Sequence, residues 1–460
     1  MKKQIIGMLC ATALLSSCHI YKSYDRPEDI QTAGLYRDTV PTGDTLVSDT
    51  ANFGNLPWRE VFTDPQLQAL IQQGLTDNTD LQTAALKVKE SQAALLSARL
   101  AYAPSIGLSP QGTLSTIQNS TLKTYQLPVT ASWEIDLFGK LLNSKRGAQV
   151  SLLQTKAYRQ AVQTQVIAAI ANTYYTLLML DRQLDISEQT ADILKRNVET
   201  MRAMKDAAMT NQAAVSQSEA AYAQVLTSLP DIRQSIRETE NALSMLLKQA
   251  PQAVKRTTLE EQQLPTEFSV GVPLQLLSNR PDVKATEMAL AGTYYNANSA
   301  RAAFYPQITL NGTGGWTNSA GSEILNPAKL LATVVGSLTQ PLFYRGANIA
   351  RLKIAKAQQE EAKLAFEQTL LNAGSEVSNA LSLYQATSEK AASRTLQVES
   401  SQKAAEYTKE LFQLDTSTSY LEVLSAEQAL LSARLSQVSD SFDRMQAVVS
   451  LYQALGGGRD

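Results

Sequence analysis

The chain has 460 residues, a formal net charge of −2 and 44% hydrophobic residues. That near-neutral balance lacks the basic stripe a nucleic-acid surface needs. Long uninterrupted helical patterns also argue for one elongated unit, where this length would ordinarily divide into about two to four domains. No apolar run after residue 20 is long enough for a membrane-spanning helix.

The N-terminus reads as an export signal: Lys2-Lys3 is its charged region and Ile5 to Leu15 its apolar region. It ends Leu15-Ser16-Ser17-Cys18, which resembles the bacterial lipoprotein box, so residues 1–17 are expected to be removed and Cys18 to carry lipid. A plain secretory signal that happens to contain a cysteine is the alternative. His19 stands where an inner-membrane retention aspartate would sit, so outer-membrane sorting is expected. Cys10 lies within the signal, so the mature chain has no second thiol for a disulfide.

Residues 18–56, rich in Asp, Thr, Pro and Gly, read as a tether. A first helical pattern opens at Pro57-Trp58-Arg59-Glu60 and carries Leu67, Leu70, Ile71 and Leu75. A second follows Asp77-Asn78-Thr79-Asp80, where Asp or Asn can cap it. Two alternating stretches come next, within about 105–137. Ser105 to Ser115 carries Ile106, Leu108 and Leu114 on one parity, and Tyr125 to Leu137 carries Tyr125, Leu127, Val129, Ala131, Trp133 and Ile135. Period two with one apolar face describes a strand wet on one side, and about ten residues suits a tilted strand of an outer-membrane barrel. An ordinary soluble hairpin would alternate too.

A long helix is then expected over about 140–208. Its seam is Val166, Ile170, Thr173, Leu177, Leu180, Leu184, Ser187, Ala191, Leu194, Val198 and Met201. A return helix over about 212–249 carries Pro230, a candidate kink or break. Residues 251–278 read as an equatorial linker, and a second repeat occupies 279–455. Its parts are a helix over about 281–303, a strand pair over about 306–342, a long helix over about 346–414 and a return helix over about 420–455. Residues 456–460 form a tail. The second long helix repeats Leu370, Val377, Tyr384, Ala391, Val398, Ala405 and Phe412 every seventh position. Nearly seventy residues at about 1.5 Å each make a rod on the order of 100 Å.

The duplication is visible in the letters. Arg99 to Leu108 reads onto Arg301 to Leu310, Phe138-Gly139-Lys140 onto Phe343-Tyr344-Arg345, and Ala214 to Glu219 onto Glu422 to Glu427. The fold expected is mainly α with a small transmembrane β part. Four strands cannot close a barrel alone, and lipid does not tolerate open sheet edges. Strands pooled from three chains would give twelve. A tube from the outer membrane into the periplasm follows, against a lipid-anchored coiled-coil scaffold that would need the rod but not the strands.

Four stretches carry a resemblance: Trp58 to Pro65, Trp133 to Lys140, Asn279 to Val283, and Ala454 to Gly458. With the lipoprotein box, the chain resembles the TolC-type outer-membrane factor family in its OprM/NodT-like lipoprotein branch. The resemblance implies a homotrimer of very long antiparallel helices forming an α-barrel, with a 12-stranded β-barrel of four strands per chain. It also implies a periplasmic adaptor and an inner-membrane pump, usually of the RND class, with the chain as exit duct for drugs or other small solutes. A conduit for type I protein secretion shares the fold.

Candidate sites follow. Tyr125, Trp133, Phe138, Trp316, Phe343 and Tyr344 are candidate membrane-interface aromatics, with strand–helix corner packing the alternative. Arg280-Pro281-Asp282 reads as a helix start. The helix tips, with Met209, Thr210 and Asn211 on one and Thr416, Ser417 and Thr418 on the other, are where the resemblance puts adaptor contacts. Neither tip holds the glycine of the family's tight turn. Asp415 and Glu422 are candidates for an acidic ring at the periplasmic mouth, favouring cations; a capping Asp and a solvated Glu are the alternative. The only histidine is His19, and no phosphate loop or metal spacing occurs. Neither an enzyme nor a cofactor is expected.

Overall fold

The computed structural model describes residues 21–27, 53–117, 120–263, 265, 280–317, 330–414 and 419–458. The signal, Cys18, most of the tether, residues 266–279 of the linker, Asp415 and Thr416 to Thr418 lie outside them. The described residues fall into two compact units. One takes them from 1–31, 86–157 and 284–369, the other from 32–85, 158–283 and 370–460.

The helices, in chain order, are α1 (Trp58–Val61), α2 (Pro65–Asp77), α3 (Thr79–Leu100), α4 (Lys140–Asp206), α5 (Gln212–Leu246), α6 (Pro281–Ala302), α7 (Ala347–Leu414) and α8 (Tyr420–Ala454). The strands are β1 (Ser105–Leu108), β2 (Gln111–Ile117), β3 (Ser120–Ile135), β4 (Gln307–Thr317) and β5 (Leu330–Thr339). Element lengths restate the duplication: α3 and α6 have 22 residues each, α4 and α7 have 67 and 68, and α5 and α8 have 35 each. The repeat alignment needs one correction. Gly139 (φ 71°) precedes α4 as Gly346 (φ 76°) precedes α7, so Gly139 pairs with Gly346, not Tyr344. The second strand-to-helix connection is longer, and only the shared left-handed glycine fixes the register.

In the first unit, β1 and β2 both pair with one side of β3, β3 pairs with β4, and β4 with β5, all antiparallel. The stretch read as one strand is broken at Ser109-Pro110, where proline lacks an N–H for the ladder. β3 starts at Ser120, before the expected Tyr125. Its first residues zip onto β2 as a hairpin with Thr and Ser on both faces, so no alternation marked them. The strand ends at Ile135 rather than Leu137, and Asp136 turns back to accept the Leu142 N–H at 2.7 Å in the first turn of α4.

The second unit holds the main core. Trp58, Phe62, Leu67 and Ile71 of the N-terminal helices pack on Ile167, Ile170, Tyr174 and Leu177 of α4 and on Val377, Val448 and Tyr452. Asn78 caps α3, accepting the N–H groups of Asp80 and Leu81 at 3.0 and 3.1 Å. Its amide donates to Leu246 C=O at 2.9 Å, tying α3 to the end of α5. The α4 seam from Val166 to Met201 is largely buried as expected, with Thr173 and Leu184 half-buried. The α7 seam fares less well: Leu370, Val377 and Ala405 are buried, Tyr384, Val398 and Phe412 half-buried, and Ala391 exposed. A seven-residue stripe drifts by about 20° per heptad on a straight helix, which carries mid-seam positions off the contact.

α5 runs through Pro230 without a break. Buried Val225 and Leu229 hold the turn that the lost N–H weakens. Pro281 does sit at the first position of α6, as read. Arg280 before it does more than mark a helix start. Buried at its head, it donates to Asp282, to Glu376 at 2.7 Å and to Ala454 C=O at 3.0 Å, joining α6, α7 and the end of α8.

Candidate functional site: sheet faces, helix tips and anchor segment

Register sorts the sheet into two unlike faces. One face carries Ile106, Leu108, Leu127, Val129, Ala131, Trp133, Ile308, Leu310, Trp316, Val334 and Leu338. The other carries Ser105, Thr130, Ser132, Glu134, Thr309, Asn311, Thr313, Thr333 and Ser337. Among the described residues nothing covers the apolar face: Ile106, Leu108, Val334 and Leu338 are 74, 62, 81 and 68% exposed. A water-soluble protein does not leave such a face open. Apolar-out, polar-in alternation is what a membrane barrel requires.

Trp133 and Trp316 lie on that apolar face, with Trp316 opposite Leu127, six residues from Trp133 along β3. At about 3.4 Å per residue they mark two levels on the order of 20 Å apart along the strand. Tyr125 lies at the Trp316 end and is exposed. At the other end Trp133 Nε1 donates to Tyr102 C=O at 2.9 Å, Phe138 stacks on Tyr305 at 5.0 Å, and Phe343 and Tyr344 are 85 and 67% exposed. Corner packing and exposure coexist in this set. Phe138 packs, while Phe343 and Tyr344 stand free of the protein surface.

The first tip turns on Ala207 to Asn211. The Met209 N–H reaches Met204 C=O at 2.8 Å and the Ala208 N–H reaches Lys205 C=O at 2.9 Å, the Schellman closure of a helix. Ala208, at φ 58°, holds the left-handed position that glycine usually takes. The first tip therefore closes through a left-handed residue without a glycine. Asn211 caps α5 through Ala214 N–H at 3.1 Å, and Met209 is 70% exposed. Met209, Thr210 and Asn211 line a cleft of about 750 Å³ together with Phe412, Leu414 and Tyr420 of the second tip. Glu422 is exposed in the first turn of α8, where Ser419 Oγ donates to its carboxylate at 3.4 Å.

Sequence reading missed an ion pair behind this tip. Arg202 of α4 donates to Glu219 Oε1 of α5 through Nη2 at 2.6 Å and Nε at 3.1 Å, clasping the first hairpin. It also missed a buried network where Asp64 accepts from Tyr174 Oη, Gln262 Nε2 and Thr257 Oγ1. Burial pulls the Asp64 carboxyl upward, but these donors and the Gln66 N–H outweigh it and hold it below the usual carboxylate range. Neither set has a local spacing, so nothing in the letters announced it.

The segment 21–27 lies along α6. Arg26 grips both oxygens of Glu287 at 2.8 Å, and the Tyr24 N–H donates to Tyr295 Oη at 3.2 Å. Tyr21 lies against Gly139, where an added Cβ would come within 3.2 Å of its ring. Two residues, His19 and Ile20, separate Cys18 from Tyr21, a chain reach of about 10 Å. Tyr21 is thus held beside the end of the sheet where β3 passes into α4. Among the described residues no helix is long and apolar enough to cross a membrane, and no His/Cys/Asp/Glu cluster could hold a metal.

A two-faced sheet and two helices of 67 and 68 residues in one chain define an outer-membrane channel subunit. Residues 70–247 and 272–457 each match the outer membrane efflux protein family, and the chain belongs to it. The chain is 28% identical to the cation efflux system protein CusC of Escherichia coli O6:H1 over 457 residues, covering 98% of this chain and 97% of that protein. It is 26% identical to the probable outer membrane lipoprotein SilC of Salmonella typhimurium over 421 residues, covering 90% of each. The structure of the outer-membrane channel OprN superposes with a TM-score of 0.87 at 25% identity, covering 96% of this chain and all of that one. The protein is an efflux duct of the outer membrane, and its protomer has the mainly helical channel fold with a small β part.

Proposed function

We propose that three copies pool their sheets into one closed barrel and continue it with their long helices as a periplasmic conduit. The observation that carries this reading is the sheet itself. Among the described residues its outer strands, β1 with β2 on one side and β5 on the other, each pair on one side only. Unpaired edges do not survive in lipid, and four strand positions fall below the roughly eight of the smallest barrels. Three copies give twelve. Trp133, Trp316, Tyr125, Phe343 and Tyr344 then form the interfacial belts, and lipid on Cys18 enters the inner leaflet beside Gly139.

The helix tips, at Met209 to Asn211 and Thr416 to Thr418, receive a periplasmic adaptor, which couples the duct to an inner-membrane pump that chooses the solute. Asp415 and Glu422 from three copies narrow the mouth with like charge and favour cations. Planar-bilayer recording of the purified protein tests the duct and its mouth together. Wild type should conduct weakly with a cation preference, and replacing Asp415 and Glu422 with Ala should raise conductance and reduce that preference. Unchanged conductance and selectivity in the double variant would overturn the mouth assignment, and absence of any channel from wild type would overturn the duct.

A further inference from the structure

The second unit encloses a cleft of about 740 Å³, walled by α4, α5, α7 and α8, that the duct reading leaves without a task. Glu427 of α8 lines it and is 7% exposed. Its carboxylate makes no ion pair or hydrogen bond among the described residues. Its oxygens open onto the cleft, and a carboxylate drawn this far from bulk water without a partner is costly.

The duplication shows what has changed. Arg202 and Glu219 of the first repeat correspond to Lys409 and Glu427 of the second, counted from the matching starts of α4 and α7 and of α5 and α8. The first pair is closed at 2.6 Å; the second is not made. Lys409 faces the tip cleft instead, and Glu427 turns inward. The other charges on the cleft wall satisfy one another, with Arg394 donating to Asp440 at 2.6 Å and Lys390 3.9 Å away. α4 and α5 contribute only uncharged side chains, among them Thr190, Leu194, Gln224 and Val225. One negative charge without an ion-pair partner is left in the cleft, with Lys409 and Arg434 acting on it only through their fields.

We infer that this cleft binds a small organic monocation, an amine or quaternary ammonium with an apolar body, with the Glu427 carboxylate as its counter-ion. One buried negative charge calls for one positive charge. Leu194, Val225 and Leu431 offer the apolar contact, and the hydroxyls of Ser432, Ser436 and Ser439 follow one face of α8. The volume falls in the range of small-molecule sites, far above what a bare metal ion fills. A bare divalent ion would also want several oxygen ligands converging at once. Protons compete for the same carboxylate. Burial raises its pKa, while Lys409 and Arg434 act against that through their fields, and the nearby Tyr420 hydroxyl is pushed up by burial and this charge. Binding therefore weakens as the solution is acidified.

The test is equilibrium binding, which does not depend on transport and so is separate from the duct reading. Ethidium, a fluorescent organic monocation, is titrated into the full-length protein in mild detergent at neutral pH and followed by anisotropy. Saturable binding is expected, weakened at least tenfold in Glu427→Gln and unchanged in Glu219→Gln. Acidification should weaken wild type toward the level of Glu427→Gln. Should Glu427→Gln not fold, Ser436→Phe, which fills the cleft from α8, must abolish binding instead. Non-saturable uptake by wild type, or equal binding by wild type and the variant that folds, would overturn the site.

Discussion

Ala208 holds the first helical hairpin in a backbone conformation that costs a residue with a Cβ about 1–2 kcal/mol. Lys248 takes the same conformation at the end of α5, where the equivalent position after α8 is Gly456. Ala208→Gly should therefore stabilise the protein by about 0.5–1 kcal/mol, once glycine's extra freedom in the unfolded chain is counted. A higher denaturation midpoint checks it. The missing glycine was plain in the sequence, but its meaning was not, because the left-handed position survives with the wrong residue in it. Arg280 taught the converse. The letters gave its helix start correctly, while its bonds to Glu376 and Ala454 depend on chain positions far away.

Secondary elements were largely legible, and the reason is physical. α4 and α7 contain no proline, a left-handed glycine stands before each, and the turn at Ala208 follows α4, so their bounds could be placed almost to the residue. The β2–β3 hairpin was not legible where both faces carry Thr and Ser, since alternation speaks only when the two sides meet different solvents. That rule supplies a prediction for the sheet. Val334→Arg puts a charge on the apolar face, worth about 2–4 kcal/mol against insertion near the bilayer midplane. Thr313→Arg puts the same charge on the polar face. The first should sharply reduce protein recovered in outer membranes, while the second should leave it near wild type; equal recovery would contradict the facing.

Element contacts also set a pH dependence. Asp64 begins α2 and ties it to α4 through Tyr174, whose hydroxyl is pushed up to about 12 by burial and by its bond to Asp64. The Asp64 carboxyl lies below its unfolded value of about 3.9, so its stabilisation is full above that value. It is lost as pH falls through the lower, folded value. Denaturation of wild type and Asp64→Asn should differ most at neutral pH, and the gap should begin to narrow only below about pH 4, closing as pH falls through the lower folded value. A gap that persists there would mean the hydrogen bonds, not the charge, carry the contact.

At the scale of the whole molecule, one chain is an incomplete object. Among the described residues its apolar sheet face has no cover and its outer strands no second neighbour, and the proposed assembly with copies of itself in a membrane would meet both deficits. The duplication fits this, since two similar hairpins per chain give a threefold assembly nearly sixfold walls. The measurement that bears most directly on the account is the native mass of the mature protein, extracted from outer membranes in mild detergent and compared with and without heating. A species near three chains that falls to one on boiling is the predicted result. A species of one or two chains before heating, or release from membranes by salt alone, would contradict it.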